Sequence, residues 1–168
     1  MKASTRASRP RCVLRGHRPG DLGWVVERHA VLYREEYGWN ERFEALVAQI
    51  AADFLRRRDP KRERCWIAER NGERLGSVML VAQSPTVAKL RLLLLDPSAR
   101  GEGLGRRLVE TCIRHARRCG YRKIVLWTQN NLTAARGIYA RTGFRLVRRS
   151  RHRDFGPAVV GEFWELKL

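Results

Sequence analysis

Between residues 89 and 107 the sequence reads KLRLLLLDPSARGEGLGRR, which sets Arg100 and three alternating glycines, Gly101, Gly103 and Gly105, between a leucine run and a helical pattern. Glycines let backbone N–H groups approach a ligand, and the first turn of a helix has donors with no intrahelical acceptor. A strand, such a turn and a helix N-terminus together make an anion site. Two phosphate loops are excluded: a Walker loop needs Lys-Ser/Thr where this chain has Arg106-Arg107, and a dinucleotide fingerprint needs G-x-G-x-x-G directly after its strand. Alone, the stretch is equally readable as a Gly-rich turn. Tyr139 is a second group with chemistry, a phenol whose ordinary pKa is about 10. The third is a local reversal of charge, Glu27, Glu35, Glu36, Glu41 and Glu44 among the aromatics Tyr33, Tyr37, Trp39 and Phe43. These acids are either surface carboxylates near helix starts or, with the aromatics, the lining of a pocket for a cationic amine.

The 168 residues suit one domain with a substantial core, and the net charge is +18. Lys2, Lys61, Lys89, Lys123 and Lys167 are the only lysines, so the excess is mostly arginine. That balance favours anionic partners in general, but no zinc-finger, RNP-type or basic-aromatic helix accompanies it, so specific nucleic-acid binding is not expected. The four cysteines have no zinc-like spacing, the four histidines read as structural or surface groups, and no metal site is expected. With no run of membrane-spanning length and no signal-peptide pattern, the expectation is a cytoplasmic protein without a membrane partner.

The elements that must position these groups follow from periodicity. Residues 1–10 read as a disordered basic tail and 11–168 as one domain. A short strand over 12–16 precedes a helix with Leu22, Val25, Val26, His29, Leu32, Tyr33 and Tyr37 at helical spacing, broken at Gly38. Asn40 caps a second helix with the stripe Phe43, Leu46, Val47, Ile50, Phe54 and Leu55. Strands over 64–69 and 74–81 meet at Asn71-Gly72, a strong hairpin signal. The leucine strand and the Gly-loop helix come next, with Leu104, Leu108, Cys112 and Ala116 inward. Then follow a buried strand over 123–128, a helix with Leu132, Ala135, Ile138 and Tyr139 that Asn130-Asn131 can cap, and two closing strands. The order is β-α-α-β-β-β-α-β-α-β-β.

That order, the R/Q-x-x-G-x-G/A pattern at Arg100, Gly103 and Gly105, and the A-x-x-x-Y…G-F pattern at Ala135, Tyr139, Gly143 and Phe144 resemble the GNAT acetyltransferases over about residues 11–168. The segments LYREEYGWNERFEALVAQIAADF, AKLRLLLLDPSARGEGLGRRLV and YRKIVLWTQNNLTAARGIYARTGFRLV look like the acetyltransferase half of bacterial proteins that fuse a MarR-type repressor to a GNAT domain, without the DNA-binding half. The resemblance implies an α/β (α+β) fold with a mixed, mostly antiparallel sheet flanked by helices. It implies transfer of acetyl from acetyl-CoA, as co-substrate, to a primary amine of a small molecule or protein. A catalytically idle acyl-CoA-binding or interaction module is the alternative, and a homodimer is open. By the same resemblance, the backbone of Leu93 and Leu95 pairs with the pantetheine arm, and the N–H groups of Arg100, Gly101, Gly103, Leu104, Gly105 and Arg106 hold the pyrophosphate. Arg106, Arg107 and Arg136 are candidates for the ribose phosphate, or else solvated helix arginines. Tyr139 protonates the leaving thiolate and the Leu95 N–H polarises the thioester carbonyl. Where members often carry Asn, seven residues before the tyrosine, this chain has Leu132. A lysine-like amine is neutral in only about one molecule in two thousand at pH 7, so a base or a depressed amine pKa is needed. Glu36 and Glu44 are the candidates, with a water chain as the alternative. Tyr33, Glu36, Tyr37, Trp39 and Phe43 are the expected acceptor lining.

Overall fold

The computed structural model describes residues 10–168. The basic tail expected over 1–10 lies, except for Pro10, outside the described residues. The elements come in the expected order: β1 (Val13–Gly16), α1 (Asp21–Tyr37), α2 (Glu41–Arg57), β2 (Arg64–Arg70), β3 (Glu73–Ala82), β4 (Val87–Leu95), a 3₁₀ turn (Pro97–Ala99), α3 (Leu104–Arg118), β5 (Lys123–Gln129), α4 (Thr133–Arg141), β6 (Arg145–His152) and β7 (Val159–Lys167). The strands form one seven-stranded sheet in the order β1-β2-β3-β4-β5-β7-β6, antiparallel throughout except between β4 and β5. Asn71 and Gly72 both take positive φ (52° and 78°), as a tight two-residue hairpin requires. Among the described residues no helix is long and apolar enough to cross a membrane.

Helix α3 buries the stripe Leu104, Leu108, Cys112 and Ala116 on one face of the sheet, against Val78, Leu80 and Leu90. On the other face α1 and α2 bring Leu22, Val25, Ala51 and Phe54 onto Ile67 and Met79. The Asn40 side chain accepts from the Arg42 N–H at 3.1 Å and caps α2 as expected. The cap foreseen for α4 is not made that way. Leu132 is its N-cap residue with no side-chain cap bond, while Asn130 Oδ1 accepts from Val160 N–H and pins the start of β7 instead.

One buried charge holds α4 in place. Glu162 on β7 is fully buried and accepts from Arg136 Nε (2.8 Å), Arg149 Nε (3.3 Å) and Trp164 Nε1 (3.1 Å). An ion that has lost its water needs such a full set of donors. The cluster ties α4, β6 and β7 together and so fixes the helix that carries Tyr139.

The interior of the sheet is interrupted once. β4 and β5 pair only at Val87–Lys89 with Lys123–Val125 and then separate. On its other side β4 carries a bulge: the register with β3 shifts between Ser77 and Met79, Leu92 takes φ 52°, and Ser77 Oγ donates to the Leu92 carbonyl at 3.0 Å. A non-glycine residue at positive φ is costly, and the buried hydroxyl helps hold it. Gly76, paired with Leu95, allows the strands to close beyond the bulge, because a Cβ there would stand 2.6 Å from the Leu94 carbonyl oxygen. Backbone cannot give way as a side-chain tip can. Gly76→Ala should therefore lower unfolding stability by about 2 kcal/mol, a drop in Tm on the order of 5 °C for a chain of this size. Thermal denaturation checks this, and an unchanged Tm contradicts the close-approach role.

Candidate active site

The gap between β4 and β5 has a backbone edge on one side. Asp96 N–H donates to the Leu75 carbonyl at 2.8 Å, and Leu95 is the next residue back, opposite Gly76. By the alternation of an antiparallel ladder, the N–H and C=O of Leu95 then turn away from β3, toward the side where β5 has departed. Leu93 lies two residues earlier, just past the bulge. Below Leu95 the chain makes its 3₁₀ turn and enters α3 through Gly101 and Gly103, both at positive φ (79° and 75°). The amides of Gly101, Gly103, Leu104, Gly105 and Arg106 have no backbone acceptor among the described residues. This is a cradle of free donors at the positive end of a 15-residue helix. A Cβ on Gly103 would meet no atom within 4 Å, so space is open above it. Gly105 also serves packing: its Cβ would stand 2.7 Å from Ile138 Cδ1 and 3.0 Å from Leu95 Cδ1. It lets α3 approach α4 and the end of β4. An open strand edge followed by free amides fits an extended amide chain ending in a pyrophosphate, which is the shape of CoA.

Of the expected pyrophosphate donors, the Arg100 N–H is already used, donating to the Pro97 carbonyl at 3.3 Å, and the arginine side chains have partners within the chain. Arg100 reaches back to α1 and pairs with Glu36 at 2.5 Å, its charge held more firmly by that carboxylate. Arg106 pairs with Glu110 one turn along α3 (2.7 Å), Arg107 donates to the Cys12 carbonyl (3.2 Å), and Arg136 belongs to the buried Glu162 cluster. Exposed pairs such as Arg106–Glu110 exchange readily, whereas Arg136 is held in place. Asn131 Oδ1, beside Leu132, is buried without a hydrogen-bond partner among the described residues.

On the α1–α2 side, the gap opens into a cavity. Its walls are aromatic: Tyr33 stacks on Phe43 (ring centroids 4.8 Å apart), Phe43 meets Trp39 (4.8 Å), and Phe155 closes against Trp39 (4.9 Å), with Trp127 opposite. Of the residues expected there, Tyr33, Trp39 and Phe43 line the cavity, while Tyr37 stands behind them against Tyr33 (5.4 Å) and Trp39 (5.5 Å). The acids do not line it. Glu36 is engaged with Arg100, and Glu44 is exposed, facing an outer groove with Ala30 and Arg34. The reason is helical geometry, since the apolar stripe of α2 turns Phe43 and Val47 inward and therefore turns Glu44 outward.

Tyr139 lines the same cavity, packed between Phe144 (5.7 Å) and Trp164 (6.4 Å), and its side chain makes no hydrogen bond among the described residues. Burial holds its phenol well above the ordinary value, so it keeps its proton. Burial raises Tyr33 likewise. His29 is the residue that sequence reasoning missed. It is 2% exposed, stacks on Tyr33 at 5.6 Å, and its Nδ1 lies 2.7 Å from the Val25 carbonyl. A carbonyl only accepts, so Nδ1 carries the proton and Nε2 is left with its lone pair in a ring that lines the cavity. Burial lowers its pKa to about 4, and the ring is neutral at pH 7. The available signal was a histidine inside the apolar stripe of α1. Lys89 and Arg91 are also in the lining and were visible only as polar positions alternating with leucines.

Comparison with known proteins agrees with this geometry. The profile of the Acetyltransferase (GNAT) family matches residues 26–144. The chain is 41% identical over 58 residues to mycothiol acetyltransferase of Geodermatophilus obscurus, a match covering 34% of this chain and 19% of that protein. It is 36% identical over 85 residues to human N-acetyltransferase 8B, covering 48% of this chain and 37% of that one. The chain thus spans well under half the length of these relatives. Among solved structures, Salmonella typhimurium yncA with its cofactor acetyl-CoA superposes with a TM-score of 0.74 at 21% identity, over 94% of each chain. A Brucella melitensis ribosomal-protein-alanine N-acetyltransferase gives 0.74 at 19% identity over 93% of this chain and 99% of the other. With the profile spanning most of the fold, the loop and the tyrosine helix, this chain belongs to the GNAT acetyltransferase family, whose acyl donor is acetyl-CoA.

Proposed function

We propose that the chain transfers acetyl from acetyl-CoA to a primary amine of a small molecule or protein, at the point where the β4–β5 gap joins the two sides of the sheet. The observation that carries this reading is the juxtaposition across one gap. Free amides and the open edge at Leu95 lie on one side, and Tyr139 stands in an aromatic cavity on the other. The resemblance to the acetyltransferase half of MarR–GNAT fusions supports a bacterial, cytoplasmic setting.

When bound, acetyl-CoA supplies an activated acyl group on a thiol that can leave. The residues of this chain do the rest. Leu93 and Leu95 extend the sheet edge to an amide arm, and the amides from Gly101 to Arg106 hold the pyrophosphate. The Leu95 N–H is the donor for the carbonyl oxygen as charge develops there. Tyr139 holds a proton for the departing sulfur. Burial makes its phenol a weaker acid, but burial raises a thiol's pKa too, so donor and acceptor shift together. The amine must react neutral. An apolar cavity with Lys89 and Arg91 in its wall disfavours an ammonium by desolvation and by like charge. The amine having entered neutral, its N–H becomes acidic only on attack, and His29 Nε2, a weak base with a pKa of about 4, is the acceptor for that proton, which leaves Tyr139 to serve the sulfur.

Three outcomes test this. Gly103→Glu places a carboxylate among the free amides and should abolish CoA binding measured by calorimetry, while Gly103→Ala, with the same positive φ, keeps most of it. Equal CoA affinity in a folded Gly103→Glu protein contradicts the site. Tyr139→Phe keeps the ring and removes the proton, so kcat for CoA release should fall about 10²–10⁴-fold with CoA affinity unchanged; wild-type turnover makes Tyr139 a packing residue. His29 has a folded pKa below its unfolded one, so its contribution to stability is complete above about pH 6.5 and is lost as pH falls toward 4. Between pH 7 and pH 4, wild type should lose about 3 kcal/mol more unfolding free energy than His29→Gln in urea titrations. Parallel losses contradict a buried neutral ring.

A further inference from the structure

We infer that the acceptor carries an anionic group as well as its amine, a carboxylate on an aromatic or large apolar body, and that Lys89 and Arg91 receive it. The inference rests on the reading of the aromatic cavity as the acceptor pocket. It starts from which cations in the chain lack a partner. Most partly buried cations find a carboxylate: Arg15 meets Asp21 and Glu69, Arg28 meets Asp96, Lys123 meets Glu165, and Arg136 meets Glu162. Lys89 and Arg91 do not. They stand two residues apart on β4, both line the cavity, and neither makes a side-chain hydrogen bond or ion pair among the described residues. Asp53, in the neighbouring cavity that Arg91 also borders, favours the guanidinium from beyond ion-pairing distance.

Two like charges side by side against an aromatic wall are unfavourable unless something of opposite sign joins them. Burial and the adjacent Arg91 both push the Lys89 pKa down, as expected of a cation lacking its counter-ion. Trp39 lines the cavity too, and its indole N–H is buried without an acceptor among the described residues. Against these donors, no Asp or Glu lines the cavity among the described residues. Unsatisfied donors, no acid and a ring-lined volume fit a carboxylate on an aromatic body. They do not fit the simple cationic amine that the acidic residues of α1 and α2 suggested from sequence.

The test separates this inference from the acetyltransferase reading by measuring binding without turnover. Calorimetry at pH 7, with and without CoA, compares 3-phenylpropionate with its neutral amide and with phenethylamine. The expected result is about 10- to 100-fold tighter binding of the carboxylate, as for charge-assisted hydrogen bonds, and loss of that preference in Lys89→Gln/Arg91→Gln. Removing two unpaired charges should leave Tm unchanged or higher, so a folded double variant is available. Lys89→Met alone, with a smaller loss of preference, gives a second reading of the same site. Equal binding of acid and amide, tighter binding of phenethylamine, or a preference that survives both variants overturns the proposal. If phenylalanine is also acetylated faster than phenethylamine, the two readings stand together. If the carboxylate preference holds and no amine is turned over, the anion site stands and the acetyltransferase reading fails.

Discussion

Three residue pairs join β4 to β5, and past them the two strands separate in the middle of a sheet that is otherwise continuous. A sheet interior loses ladder hydrogen bonds wherever strands part, so the separation has to be held open by something else. Here it is held by the bulge at Leu92, which the Ser77 hydroxyl braces, and by the close approach that Gly76 allows beyond it. The consequence is one passage through the sheet. It presents backbone donors at Leu95 and the α3 entrance on one side and a ring-lined cavity on the other.

The charges around this passage fall into two groups with different duties. Buried Glu162 locks α4, and with it Tyr139, to β6 and β7. The pairs Arg28–Asp96 and Glu36–Arg100 connect α1 to the turn that leads into the α3 loop. Each exposed pair contributes little alone, but both lie between the two sides of the passage. In a chain of net charge +18, carboxylates are the scarce partners, and several, such as Asp21, Asp96 and Glu162, are held at structural positions. The cavity wall is left with Lys89 and Arg91.

Much of this was legible in the sequence because it is local. Periodicity gave the order of elements, Asn71-Gly72 gave the hairpin, and the alternating glycines gave the helix entrance with its free amides. What was not legible depends on which distant side chain meets which. Arg136 reads as a phosphate ligand or a solvated helix arginine until Glu162, 26 residues on, is found buried beneath it. Gly105 reads as a phosphate-loop glycine, yet its missing Cβ makes room for Ile138. Glu36 and Glu44 sit among aromatics in sequence, but the helix turns the aromatics inward and the acids away. His29 shows the same limit: its place in an apolar stripe marks it as buried, and only the Val25 contact reveals which nitrogen keeps a lone pair.

The proposed site is one continuous binding surface for acetyl-CoA, formed by the opened edge of β4 and the entrance of α3. A titration of the ¹⁵N-labelled protein with CoA, followed by amide NMR, reads that surface directly. The amides of Leu93, Leu95, Gly101, Gly103, Leu104, Gly105 and Arg106 should shift together with a single affinity. Shifts confined to exposed arginine-rich positions such as β6, with those seven amides unmoved, would contradict it.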